Sequence, residues 1–246
     1  MTRGLDSIWV YLAATPLLGL TATLLAYIVA WRIYQRAGMN PFANPVAIAV
    51  ILLVALLGVT GTPYATYFDG AQFVHFLLGP ATVALAIPLY DQRARLARLW
   101  LPLTLGLASG VATAIMSAVG IAWMLGASRE TLLSLAPKSV TTPIAMGIAE
   151  KIGGLPSLTA VFVILTGMTG AIIARPLLNA LRVESHAARG FAVGVAAHGI
   201  GTARAFQVSE QMGAFAGLAM GLTALVTAFI APWLAPALVA LLSRGA

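Results

Sequence analysis

The residues best suited to chemistry in this chain lie in two stretches that copy one another. The first reads Ala136-Pro-Lys-Ser-Val-Thr-Thr-Pro-Ile-Ala-Met-Gly-Ile-Ala-Glu150-Lys-Ile-Gly153. The second reads Ala196-Ala-His-Gly-Ile-Gly-Thr-Ala-Arg-Ala-Phe-Gln-Val-Ser-Glu210-Gln-Met-Gly213. Aligned without a gap, they set Lys138 opposite His198, Thr142 opposite Thr202, Glu150 opposite Glu210 and Gly153 opposite Gly213. Both lie between segments apolar enough for lipid. Polar, helix-breaking sequence at membrane depth is costly unless it lines a cavity, and paired broken elements point to the binding site of a transporter.

In the first copy, Pro143 suits the first position of a half-helix with Thr142 as its N-cap. The second offers Thr202 at the same place, after His198-Gly-Ile-Gly201. A half-helix start presents free backbone N–H groups and a partial positive charge, which together attract an anion. Lys138 and Arg204 add full charges, and Ser139, Thr141, Thr142 and Thr202 add hydroxyls. This set suits a small carboxylate that also carries a hydroxyl or keto oxygen. Gly199 and Gly201 let the backbone approach a ligand closely. Glu150 and Glu210, about two turns further on, could take up a proton or ligate a cation such as Na+ that moves with the substrate. His198 is a second candidate proton carrier. Plainer readings stand beside these. Lys138 could pair a buried carboxylate and Arg204 could neutralise Glu210. Glu150 with Lys151 could mark an interfacial helix end, and His198 could be a buried, hydrogen-bonded helix breaker. His75 and His186 are isolated and read as loop or packing residues.

The elements around these stretches are read from composition and patterning. The chain has 246 residues, 60% hydrophobic and only 9% charged, with a mean hydropathy of +0.95. A soluble domain carries about a quarter charged residues, so this is an all-α polytopic membrane protein. No cysteine is present, which excludes disulfides, thiol nucleophiles and Cys-based metal sites. The net charge of +7 comes from 14 Lys and Arg against 7 acids. Most of the Arg falls between spans, as the positive-inside rule requires, and no nucleic-acid partner is implied.

Spans are expected at about 8–31, 46–60, 73–90, 99–125, 158–174 and 218–242, with broken elements at about 131–154 and 190–213. That gives six to eight crossings in all. Trp9, Tyr11, Trp31 and Tyr34 flank the first span as interfacial aromatics. The first apolar run is long enough to cross, and no signal-peptide cleavage site is evident. Tyr64, Tyr67 and Asp69 fall in an expected loop, and Gly79-Pro80 with Thr82 interrupts the third span. Leu78-Gly-Pro-Ala-Thr-Val83 echoes Leu135-Ala-Pro-Lys-Ser-Val140 as a possible degenerate third copy. Small residues crowd 99–125 (Gly106, Ala108, Ser109, Gly110, Ala112, Ala114), which suits close helix packing. A polar loop is expected over Arg175–Arg189. The duplication extends past the breaks, with identities at Leu158/Leu218, Leu165/Leu225, Ala171/Ala231 and Pro176/Pro236. Residues 1–128 are expected to form a scaffold and homodimer interface, and 129–246 a substrate-binding repeat unit.

Arg32, Arg36 and the 93–98 cluster place their loops in the cytoplasm and the N-terminus outside. Two arrangements of the repeat remain. If the broken elements are re-entrant hairpins, the Arg175–Arg189 loop is cytoplasmic and the two units are inverted. If they cross fully, that loop is outside and the units are parallel. The re-entrant arrangement obeys the positive-inside rule better.

The stretches Leu135–Glu150 and Ala188–Arg204 (Ala188-Arg-Gly-Phe-Ala-Val-Gly-Val-Ala-Ala-His-Gly-Ile-Gly-Thr-Ala-Arg204) resemble the signature stretches of the LrgB family, also called CidB/LrgB or YohK-like. Weaker agreement runs from about Asn44 to Pro236. The resemblance implies a multi-pass protein of the bacterial inner membrane. Bacterial members are described as holin- or antiholin-like, influencing murein hydrolase activity and autolysis, often with a small membrane partner of the LrgA/CidA type. A plant relative moves glycolate and glycerate, and some bacterial members are linked to pyruvate. Two functions are therefore carried forward. One is a transporter of small monocarboxylates, with no cofactor beyond a coupling H+ or Na+. The other is a holin-like protein. An enzyme is not expected, because the few intramembrane acids are not paired as a protease or metal site requires.

Overall fold

The computed structural model describes residues 16–77, 80, 83–84, 86–91 and 93–244, and among these there is no strand. The chain divides into two compact units, Met1–Ala84 and Leu85–Ala246.

In the first unit, α1 (Pro16–Arg36) packs on both α2 (Pro45–Thr60) and α3 (Tyr64–Phe76). Asn44 starts α2: its side chain accepts from the N–H groups of Val46 and Ala47, and Pro45 takes the first helical position. Such a proline gives up a donor that would be orphaned anyway. Gly61 ends the helix at φ 65°, where a side chain would be strained. Thr23 Oγ1 and Tyr67 Oη share a hydrogen bond of 2.8 Å. Gly19 leaves no room for a Cβ against the Tyr67 carbonyl, so α1 and α3 approach backbone to backbone.

This arrangement corrects one expectation. Residues 64–69 are helical rather than a loop, because Tyr64 stacks on Phe68 and leans on Tyr67 along one helical face. α3 ends at Phe76, within the expected third span over 73–90. The start of the first span, the His75 side chain, the Gly79–Thr82 interruption and most of the echo at 78–83 lie outside what is described.

The second unit holds α4 (Ala86–Asp91), α5 (Arg93–Arg98), α6 (Trp100–Met124), α7 (Arg129–Leu135), α8 (Thr142–Ile152), α9 (Pro156–Ala180), α10 (His186–Val208) and α11 (Glu210–Arg244). Among the described residues, four helices, α1, α6, α9 and α11, are long and apolar enough to cross a membrane. α11 has 35 residues; at 1.5 Å per residue it is about 52 Å long, well beyond a bilayer core of ~30 Å. The expected polar loop over Arg175–Arg189 shrinks to residues 181–185, because α9 runs on through Pro176 to Ala180 and α10 begins at His186. Ser185 caps α10 by accepting from the Ala188 N–H. A proline inside a membrane helix costs one backbone bond, which neighbouring helices can make good.

α10 and α11 form the most extensive pair, joined at Ser209 in extended backbone (φ −163°, ψ 152°). At Gly190 and Gly194 a Cβ would run into the Met212 and Ala216 carbonyls of α11. Two glycines four apart thus form one smooth stripe on which the partner backbone rests. The core is built from one face of α6 (Leu107, Val111, Ile115, Val119) against residues of α7, α8, α10 and α11.

Ser134, fully buried on α7, ties the first break to α9. Its Oγ donates to the Glu130 carbonyl at 2.6 Å and accepts from the Leu155 N–H at 2.7 Å; its own carbonyl accepts from Thr159 Oγ1 at 2.9 Å. Replacing Ser134 with Ala orphans the Leu155 N–H, at a cost of about 1–3 kcal/mol. We expect Ser134→Ala to lower the midpoint of thermal unfolding in micelles. Ser109→Ala, whose exposed hydroxyl bonds only to its own helical turn, leaves it unchanged.

Candidate functional site

The first break lies between α7 and α8. After Leu135 the chain tightens into turns, with the Lys138 N–H on the Leu135 carbonyl (3.1 Å) and the Val140 N–H on the Pro137 carbonyl (3.3 Å). Val140 is buried, and Thr141 is the N-cap residue of α8 at φ −63°, ψ 145°. The cap is therefore one residue earlier than Thr142, and Pro143 is the second helical residue. The Thr141 side chain makes no capping hydrogen bond.

The second break is a single residue. His198 has φ 39° and ψ −134° inside α10, so the helix is two segments meeting at this residue. That backbone region is unfavourable for a residue with a Cβ. Its ring is buried and holds the Val163 carbonyl of α9 through Nε2 at 2.9 Å. A carbonyl only accepts, so Nε2 carries the proton. The ring also lies on Gly167, where an added Cβ would come within 2.7 Å of Cε1. Thr202 is not a cap: its hydroxyl donates to the His198 carbonyl at 2.8 Å, one turn into the second segment. Gly199 and Gly201 are helical, and Gly201 makes room for Ala197 and Val193.

A cavity of about 1020 Å³ opens between α6, α9 and α10, with Lys138 and Ser139 among its lining residues. Among the described residues Lys138 is the one charged residue lining it. Its ammonium donates to Ser139 Oγ at 3.3 Å, and no carboxylate pairs with it among the described residues. The structure thus brings Lys138 and Ser139 together on the cavity wall, which the His198 side chain does not line. Thr141, Thr142, Gly199, Gly201, Thr202 and Arg204 do not line the cavity. Arg204 donates to Gln207 Oε1 at 2.8 Å. Glu150 is exposed in the last turn of α8, before Gly153 at φ 84°, and Glu210 is exposed at the start of α11.

Much of the cavity wall comes from helices whose sequences read as plain spans. On α9 these are Phe162, Leu165, Thr166 and Thr169; on α6, Gly106, Ser109 and Gly110. The signals available were hydroxyls three apart on an apolar helix and the Gly106-x-x-x-Gly110 spacing. Gly110 faces Val195, which a Cβ would approach to 2.8 Å, and Gly106 faces Phe191, so the small-residue stripe seats α6 on α10.

The sequence model of the LrgB-like family matches residues 23–237, which takes in both breaks and nearly every residue that lines the cavity. The chain belongs to the LrgB-like family. YwbG of Bacillus subtilis strain 168 is 39% identical over 208 residues, covering 85% of this chain and 92% of the relative. The holin-like protein CidB of Staphylococcus aureus strain N315 is 32% identical over 208 residues, covering 85% and 90%. CidB of Staphylococcus epidermidis strain ATCC 12228 is 31% identical over 214 residues, covering 87% and 92%. No solved structure matches the chain. With its four membrane-length helices, this LrgB-family chain is a multi-pass bacterial membrane protein.

The backbone at His198 yields a prediction. Glycine adopts positive φ without a Cβ penalty, so His198→Gly loses the ring contacts but releases backbone strain. His198→Ala loses the ring and keeps the strain. The alanine variant should be the less stable of the two by about 1 kcal/mol or more, read as the difference in their denaturation midpoints in micelles.

Proposed function

We propose that this LrgB-family protein works as a holin-like membrane protein of the CidB kind, modulating murein hydrolase activity and autolysis with a small LrgA/CidA-type partner. The observation that carries this reading is the similarity to proteins named holin-like CidB, extending over 85–87% of the chain. In this reading the action is through the membrane and the partner rather than by catalysis.

A second reading is favoured by one feature of the site. Lys138 is a cation without a carboxylate partner among the described residues, set on the wall of a cavity at a break in the helical ladder. A site of that kind suits an organic anion, and passage of small monocarboxylates of the glycolate, glycerate or pyruvate class is the reading we attach to it. Ser139 supplies a hydroxyl at the same wall, whereas the second break, from His198 through Thr202 to Arg204, does not line the cavity. In this scheme the broken elements are re-entrant and inverted, with six to eight crossings in all. Residues 129–246 carry the substrate, and residues 1–128 form the scaffold of a homodimer. His198 is the candidate proton carrier, and Glu150 and Glu210 are candidate cation ligands at helix ends.

The two readings separate in one set of proteoliposomes and host cells. The holin-like reading predicts autolysis on expression and release of trapped dye, both persisting in Lys138→Ala. The anion reading predicts uptake of labelled glycolate or pyruvate that falls at least tenfold in Lys138→Ala. Uptake indifferent to that substitution removes Lys138 from the anion path, and absence of both lysis and dye release rejects the holin-like reading.

A further inference from the structure

The cavity beside Lys138 is much larger and more apolar than a two- or three-carbon hydroxy acid requires. Its volume of about 1020 Å³ lies at the upper end of the ~300–1,000 Å³ typical of ligand sites. A small acid displaces only a few water volumes of ~30 Å³ each. The walls are dominated by side chains such as Leu103 of α6, Phe162, Leu165 and Ile173 of α9, and Phe191 of α10. Of the hydroxyls expected to recognise a hydroxy acid, Ser139's is on these walls and those of Thr141, Thr142 and Thr202 are not. Ser109 spends its hydroxyl on its own backbone. The wall threonines Thr113, Thr166 and Thr169 sit within helices, where a hydroxyl can turn to the preceding carbonyl and leave its methyl outward.

The cavity is also chemically uneven. Among the described residues Lys138 is the one charged residue on its walls, with Ser139 Oγ at 3.3 Å from its ammonium. Along α9 the wall runs from Phe162 to Ile173, which is roughly 16 Å at 1.5 Å per residue. A single cation thus faces a mostly apolar trough.

We propose that this cavity takes an amphiphilic monocarboxylate, a medium-chain aliphatic acid whose carboxylate meets Lys138 and Ser139 and whose tail lies along α6 and α9. The proposal rests on the anion reading of the same site and narrows its substrate class. The physical basis is a difference in desolvation. Each methylene buried against an apolar wall contributes about 0.8 kcal/mol, whereas each ligand hydroxyl buried there without a partner costs about 1–3 kcal/mol. A carboxylate without a tail has the cation but leaves the trough unfilled. An uncharged alcohol fills the trough but leaves the cation unmet.

The test is binding of radiolabelled octanoate to the full chain in lipid nanodiscs, with empty discs subtracted and unlabelled octanoate, octanol or glycolate as competitors. Two variants accompany it. Lys138→Gln removes the charge at nearly constant size. Ala192→Trp fills the trough from an exposed lining position, and circular dichroism checks that each is folded. We expect saturable octanoate binding that octanol and glycolate displace at least tenfold less well than octanoate, and at least a tenfold loss of affinity in each variant. Glycolate competing as well as octanoate, with Ala192→Trp indifferent, overturns the proposal and leaves the small-acid reading standing. Octanol competing equally, with Lys138→Gln indifferent, marks a lipid groove and overturns both. Absence of saturable octanoate binding also overturns the proposal. In that case, saturable binding of labelled glycolate that is lost in Lys138→Gln keeps the anion reading alive.

Discussion

The second unit is organised around what happens to the backbone at residue 198. In lipid, every backbone N–H and C=O needs a partner within the protein, and a helix supplies them by default. A residue at φ 39° interrupts that supply in the middle of α10. The interruption is held from the side: the His198 ring reaches the Val163 carbonyl and lies on Gly167 of α9, while the Thr202 hydroxyl returns to the His198 carbonyl. Both segments of α10 are thereby fixed to α9 at one point. The first segment in turn rests on α11 through Gly190 and Gly194, and α6 rests on it through Gly110. The cavity is the space these three attachments leave between α6, α9 and α10.

The two breaks could be read from residue types. Pro137 and Pro143 each remove a ladder hydrogen bond on either side of a polar Lys-Ser-Val-Thr-Thr run, and His198-Gly-Ile-Gly201 carries two residues of high backbone freedom. The residue that takes the strained conformation was not legible. Local rules hand positive φ to glycine, yet Gly199 and Gly201 are helical and His198 is not. The deciding term is a tertiary one, the ring's bond to a carbonyl 35 residues away, and no local window contains it. The cap of α8 moved from Thr142 to Thr141 for a local reason, since proline is accommodated at the second helical position as well as the first. Pro176 did not end α9, because a helix packed among other helices tolerates the lost bond. The cavity walls escaped notice because apolar residues facing a cavity and apolar residues facing lipid are spelled the same way.

The duplicated stretches share a register but not a geometry. Their aligned break positions, Lys138 and His198, do fall at the two interruptions. One is a turn of several residues between separate helices; the other is a single residue within a helix. Glu150 and Glu210 align, yet Glu150 lies in the last turn of α8 and Glu210 in the first turn of α11. A carboxylate is favoured at a helix start and disfavoured at a helix end. Lys151, the basic residue in the last turn of α8, has the sign that suits that position. Matching letters therefore do not carry matching electrostatics, and equivalence between the copies holds for where the chain breaks rather than for what each side chain does there.

That asymmetry bears on the charge of the site. A symmetric pair of breaks would present two cations, one from each copy, to a common space. The structure instead sets one cation, Lys138, on the cavity wall and gives the matching position to His198, whose ring is committed to a backbone carbonyl. Arg204, the second copy's own cation, bonds to Gln207 away from the cavity wall. A cavity lined by one ammonium among the described residues and bounded by apolar helices discriminates by charge at that residue and by hydrophobic contact along the rest. Selectivity in such a site grows with the apolar length of the ligand rather than with the number of its polar groups.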